Sequence, residues 1–148
     1  MANNKLDLLL KLESDKEEGL RRHFVQAEQH FRNNQQKLQG LSQFRLEYMQ
    51  QLQEKAQHGL SSAAFRQYHS FINKIDEAIA QQGRVVSTAR QVVDQRRNLW
   101  LKQQAKTKAI AKLIEKQALV AQQKMAKAEQ KMLDEFATNQ FFQRRMAV

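Results

Sequence analysis

The sequence predicts an all-α protein: a long two-helix antiparallel coiled-coil hairpin whose second helix overhangs the first. Three observations predict it. The 148 residues contain no proline and only four glycines, Gly19, Gly40, Gly59 and Gly83, while Gln, Lys, Ala, Arg and Leu, all good helix formers, dominate the rest. Apolar pairs recur every seven residues through the middle of the chain: Phe71–Ile72, Ala78–Ile79, Val85–Val86, Val92–Val93 and Leu99–Trp100. A sevenfold repeat keeps one seam of a supercoiled helix facing its partner. Finally, a single cluster, His58-Gly59-Leu60-Ser61-Ser62, has turn chemistry. At this length the chain is one domain, covering residues 1–148.

The first helix is expected over residues 4 to 56. Asn4 can cap it, with Asp7 three residues on in capping-box position. A line alternating four and three apart follows: Leu6, Leu10, Glu13, Glu17, Leu20, Phe24, Ala27, Phe31, Asn34, Leu38, Leu41, Arg45, Tyr48 and Leu52. Most of these positions are apolar, and Glu13 and Glu17 mark a weak section of the seam.

The turn is expected at about 57–62. Gly59 can take a left-handed C-cap, and Ser61 or Ser62 can cap the next helix. A loop this short makes the helices antiparallel neighbours. If facing residues have numbers that sum to about 120, Leu52 meets Tyr68, Leu41 meets Ile79, Phe31 meets Ala89 and Leu20 meets Trp100, so both seams stay in phase. Gly40 and Gly83 then lie near each other. They are either two tolerated helix glycines or a point of close approach.

The second helix is expected over residues 63 to 138. In the same register Asn4 lies opposite Lys116, so about 20–25 residues should project beyond the first helix, a length that is marginal for a lone helix in water. The projecting part has sparse apolar positions, among them Val120, Met125, Met132 and Phe136. The last residues, NQFFQRRMAV, are expected to fray. The heptad pairs leave a wide apolar face. The stripe Phe71, Ala78, Val85, Val92 and Leu99 is either core, covered by Phe44, Leu46 and Met49, or a strip presented to a partner helix.

The net charge of +10 is uneven. Residues 1–60 hold nine Lys/Arg against eight Asp/Glu, and residues 61–148 hold sixteen against seven. A basic half suggests an anionic partner. Its lysines, Lys102, Lys106, Lys108, Lys112, Lys116, Lys124, Lys127 and Lys131, form either a solvated face or a surface for an acidic partner. Trp100 is the only aromatic residue between 72 and 135, so the stacking platforms of a nucleic-acid groove are missing and no nucleic acid is expected.

Without cysteine there is neither a disulfide framework nor a thiolate metal site. The four histidines, His23, His30, His58 and His69, are too scattered to share an ion. No phosphate-cradling loop or nucleophile elbow is present, and a thin helical rod offers no dry pocket. No enzymatic activity, cofactor or metal is expected. The N-terminus lacks signal-peptide character and no apolar run approaches the roughly 20 residues of a membrane span, so a cytoplasmic protein without direct membrane insertion is expected.

The segment Tyr68-His69-Ser70-Phe71-Ile72-Asn73-Lys74-Ile75-Asp76-Glu77-Ala78-Ile79 resembles the opening of the second helix in the FliJ family of flagellar export proteins. Lys131-Met132-Leu133-Asp134-Glu135-Phe136-Ala137 is similar to the C-terminal element of that family, and Arg45-Leu46-Glu47-Tyr48 to the end of its first helix. The resemblance implies a stalk like that of rotary ATPases. Such a stalk inserts into the hexameric export ATPase FliI of the flagellar type III protein export apparatus and promotes ring assembly. It also touches the export-gate protein FlhA and recycles export chaperones.

For this chain the resemblance implies gate binding by Phe71, Ile75, Ala78 and Gln82, the last standing where relatives carry histidine. It implies that the projecting basic helix, with Lys124, Lys127, Lys131, Met132 and Phe136, lies in the ATPase ring. Work of this kind would serve flagellum biogenesis, and through it motility and chemotaxis, at the cytoplasmic side of the cell membrane. Two other readings stand beside it: the equivalent stalk of a virulence type III secretion system, and a basic coiled-coil binder of nucleic acid.

Overall fold

In a computed structural model, residues 2–147 are described, with side chains from Lys5 onward. Two helices account for almost all of them: α1 (Ala2–Gln57) and α2 (Ser62–Met146). They pack against each other as an all-α hairpin, and no strand occurs among the described residues. The expected class therefore holds, including the second helix that continues past the first.

The turn works as its residues suggest. Gly59 has φ +90°, a conformation that costs a side chain with a Cβ roughly 1–2 kcal/mol. Around it, His58 N donates to Lys55 O at 3.2 Å and Gly59 N to Ala56 O at 3.3 Å, so carbonyls of the last turn of α1 are satisfied. Of the two candidate serines it is Ser61 that caps α2. Its Oγ accepts from Ala64 N at 3.2 Å, and its carbonyl accepts from Phe65 N at 3.0 Å.

Two boundaries differ from the sequence reading. α1 starts at Ala2, so Asn4 lies within the helix rather than at its cap; the side chain of Asn4 is outside the described residues. α2 does not stop near 138 but runs to Met146, so the tail expected to fray is helical. Its sequence supports this. Thr138 Oγ1 donates to Asp134 O at 2.7 Å, Gln130 Nε2 donates to Asp134 Oδ1 at 3.2 Å, and Arg144 and Arg145 face the negative end of the helix dipole.

The chain divides into two contact units. One comprises residues 16–103; the other joins residues up to 15 with those from 104 on. In the first, the core is a single stripe in which Leu52, Ile72, Ile75 and Ala89 are buried. Near the turn an aromatic cluster closes it: the Tyr48 ring lies tilted against Tyr68 (centroids 5.3 Å apart) and Phe71 (4.8 Å), and Phe44 meets Phe71 edge-on at 6.2 Å. Arg45 pairs with Asp76 across the helices, and its guanidinium pKa is raised by that hydrogen bond. Further along, Phe24 stacks on Trp100 at 5.4 Å and Arg90 lies over the Phe31 ring at 5.6 Å. These contacts follow the expected register to within a turn: the Trp100 ring stacks on Phe24, one turn along from the expected Leu20.

One level of this seam is polar. Asn34 is buried, and its Nδ2 donates to His30 O at 2.9 Å. Gln82 Nε2 crosses from α2 and donates to Asn34 O at 2.9 Å and Asn34 Oδ1 at 3.1 Å. Gly40 and Gly83 would each accept a Cβ with no neighbour within 4 Å. The close approach is therefore absent, and both are ordinary helix glycines.

In the second unit the beginning of α1 meets α2 through its other leucine face. Leu6 and Leu10 are half-buried, Thr107 is buried, and Thr107 Oγ1 donates to Glu13 O at 3.3 Å. Beyond Ile114 the pattern ends: every residue from 115 to 147 is exposed.

Candidate interaction surfaces

Two surfaces carry the residues singled out by the sequence, and each lies within one unit. On the unit of residues 16–103, Phe71, Ile75, Ala78 and Gln82 occupy successive turns of α2, spaced four, three and four apart. That spacing puts them along one line of the helix. The structure gives them different surroundings. Phe71 is 40% exposed, with one side of its ring against Tyr48 and Phe44. Ala78 is half-buried. Ile75 is only 5% exposed and belongs to the core. Gln82 is committed by two hydrogen bonds to Asn34.

The wider stripe is neither wholly core nor wholly free. Phe71, Val85 and Leu99 are exposed, whereas Ala78 and Val92 are half-buried. Of the expected covering residues, Phe44 touches Phe71 from the side, yet Phe44 and Leu46 are exposed themselves. A shallow groove of about 330 Å³ continues the stripe between His30 and the line Val85–Val92. Hairpins of two helices cannot close over a face this wide, because each helix offers its neighbour only one stripe.

The second surface is the part of α2 beyond residue 115. Lys124, Lys127 and Lys131 are exposed at spacings of three and four, so they share a face. Side-chain ion pairs join Glu18 to Arg21 and Arg22, Glu28 to Arg32, and Arg45 to Asp76. Met132 and Phe136 are 70% and 62% exposed and point to a different side of the helix from the lysines. The structure thus gathers the three lysines on one edge and the two apolar side chains on the neighbouring one.

Sequence reasoning missed a third feature. Leu8, Leu9 and Leu12 are exposed on α1, on the side away from Leu6 and Leu10. The run Leu6-Asp7-Leu8-Leu9-Leu10-Lys11-Leu12 carries more leucines than one seam can bury, and that excess was the available signal.

Neither surface resembles a catalytic pocket. No large side chain among the described residues is fully buried, no cluster of three potential metal ligands occurs among them, and no helix is long and apolar enough to cross a membrane. What the geometry offers is extended faces rather than a pocket: a half-covered apolar stripe on the hairpin and an exposed helical run from 115 to 147. This is the architecture of a coiled-coil protein.

The family comparison is more specific. The profile of the family described as Flagellar FliJ protein matches residues 1–146, and the chain belongs to the FliJ family. It is thereby a protein of flagellar export. No curated protein and no solved structure matches the chain.

Proposed function

We propose that this protein is a non-enzymatic stalk and adaptor of the flagellar type III export apparatus. The projecting part of α2 enters the ring of the hexameric export ATPase FliI and promotes its assembly. The hairpin meets the export gate FlhA and the export chaperones at the cytoplasmic face of the membrane. The observation that carries this reading is the long exposed run 115–147, a helix without a neighbour and with a basic edge. A lone helix of this composition gains little from propensity alone, and docking in a partner accounts for its retention. Lys124, Lys127, Lys131, Met132 and Phe136 are the contacts with the ATPase.

At the gate, Phe71 and Ala78 supply the contact surface. Ile75 and Gln82 act from beneath, holding the helix face through the core and the Asn34 layer. Flagellar rather than virulence secretion is favoured because the matched family is flagellar.

The test is stimulation of the cognate export ATPase by the full chain and by a truncation after Lys116. Stimulation by the full chain alone is expected. Binding by neither form overturns the reading. For the gate, Phe71→Ala should weaken FlhA capture while leaving helicity and melting cooperative, since the ring is far from fully buried; unchanged capture would remove Phe71 from the site.

A further inference from the structure

The face of α2 that packs on α1 does not end where α1 ends. In the unit that contains both, Thr107, Ile110 and Ile114 lie on the packed side, and at 100° per residue that same side carries Ala118, Ala121, Met125, Ala128 and Met132 further along. An apolar line of small and flexible side chains thus continues the packed side for about two heptads, and nothing is seated on it. Two properties of the seam describe what would fit.

The first is charge. At 100° per residue, Lys116, Lys124, Lys127 and Lys131 fall within a sector of about 80°, bordering one side of the seam. The other border carries Glu115 and Glu129. The edges are opposite in sign, so an occupying helix is oriented about its own axis by the charges it carries.

The second is size. Three of the five seam residues beyond Ile114 are alanines, which allow another helix to come close and require large side chains from it to fill the space.

A second copy of this chain does not satisfy both. In an antiparallel pair like edges face each other, setting Lys124 and Lys131 against lysines of the other copy. In a parallel pair alanine meets alanine at three levels and the seam is left underfilled. A lipid surface also fits poorly, because a membrane-lying helix needs a bulky apolar face.

We infer that the projecting part of α2 seats a single amphipathic helix of a partner protein, rich in leucine or isoleucine along its contact stripe and acidic along the edge that meets Lys124 and Lys131. This deepens the proposed stalk function and rests on it, by stating the chemistry of the partner segment at the same surface.

The experiment uses the full chain and two synthetic four-heptad peptides with the same leucine seam, one with glutamate and one with lysine at the flanking positions. Binding is read by fluorescence anisotropy. The glutamate peptide should bind at least tenfold more tightly than the lysine peptide. Ala121→Glu should abolish binding of both, and Lys124→Glu with Lys131→Glu should reverse the preference. All three positions are exposed and lie outside the hairpin contacts, so circular dichroism should show unchanged helicity.

Equal binding of the two peptides, or a preference that survives the double reversal, overturns the inference. So does saturable binding to phosphatidylglycerol vesicles with no binding of the glutamate peptide, which would assign the surface to lipid. Stimulation of the ATPase that is lost on truncation while the glutamate peptide fails to bind would keep the stalk and remove the seated helix. The reverse pattern would keep the seated helix and remove the stalk.

Discussion

Within α2, residues 68–93, with seven Ile and Val, and residues 115–147, with one, carry opposite burdens. In the first stretch Ile72, Ile75 and Ala89 are buried against α1, and aromatic and polar contacts reach across. In the second, apolar residues still recur, yet Met125, Met132 and Phe136 all remain more than 60% exposed. The difference teaches that helicity and stability are separate quantities here. The first stretch is held by burial, at about 25 cal/mol for each Å² of apolar surface removed from water. The second is helical by propensity, end chemistry and continuity with the first. A hairpin that needs no more than its core can afford a long arm that contributes little to folding and is free to serve a partner.

Substitutions of similar size should break the comparison most clearly. Ile75→Ala deletes buried methylenes from a thin core and should cost about 2–4 kcal/mol. Met132→Ala should change stability by less than about 0.5 kcal/mol, because the side chain is already in water. Urea melts followed by circular dichroism compare the two directly. Equal losses would mean that the projecting helix is held by the protein itself, and the case for a partner would weaken.

The polar level within the hairpin gives a smaller effect of a different kind. Asn34→Ala removes the acceptor Oδ1 from Gln82 Nε2 in a half-buried position, which should cost about 1–3 kcal/mol. Replacing both, Asn34→Leu with Gln82→Leu, should recover much of that loss while loosening register, as polar pairs in coiled-coil seams do. Sedimentation velocity is the sensitive readout. A double variant that remains homogeneous would show that register is set by the aromatic cluster near the turn instead.

The hairpin was legible because its causes are local and periodic. A seven-residue repeat, one glycine in a left-handed turn and one serine cap determine class, turn and register. Less legible was which face of a wide stripe would be covered. Phe71 and Ile75 are both apolar and one turn apart, and only the packing of α1 separates an exposed ring from a core residue. The commitment of Gln82 to Asn34 was hidden for the same reason, since a polar residue in a seam can face water or a partner amide. Asn139, Gln140 and their neighbours looked like an end, and the helix continues because side-chain bonds at Asp134 and basic residues at its terminus sustain it.

Glycine supplies the last comparison, and the smallest effect. Gly40 and Gly83 sit inside helices, with open space where a Cβ would be, whereas Gly59 sits in the turn at φ +90°. The same change should therefore have opposite signs. Gly40→Ala and Gly83→Ala should each stabilise the hairpin by up to about 1 kcal/mol, the difference in helix propensity. Gly59→Ala should destabilise it by a similar amount, because its backbone conformation is unfavourable for an L side chain. Melting temperatures of the three variants decide the matter. A loss on Gly40→Ala or Gly83→Ala would mean that the two helices approach more closely in solution than 4 Å of clear space around a new methyl allows, and would turn these glycines from passengers into part of the packing.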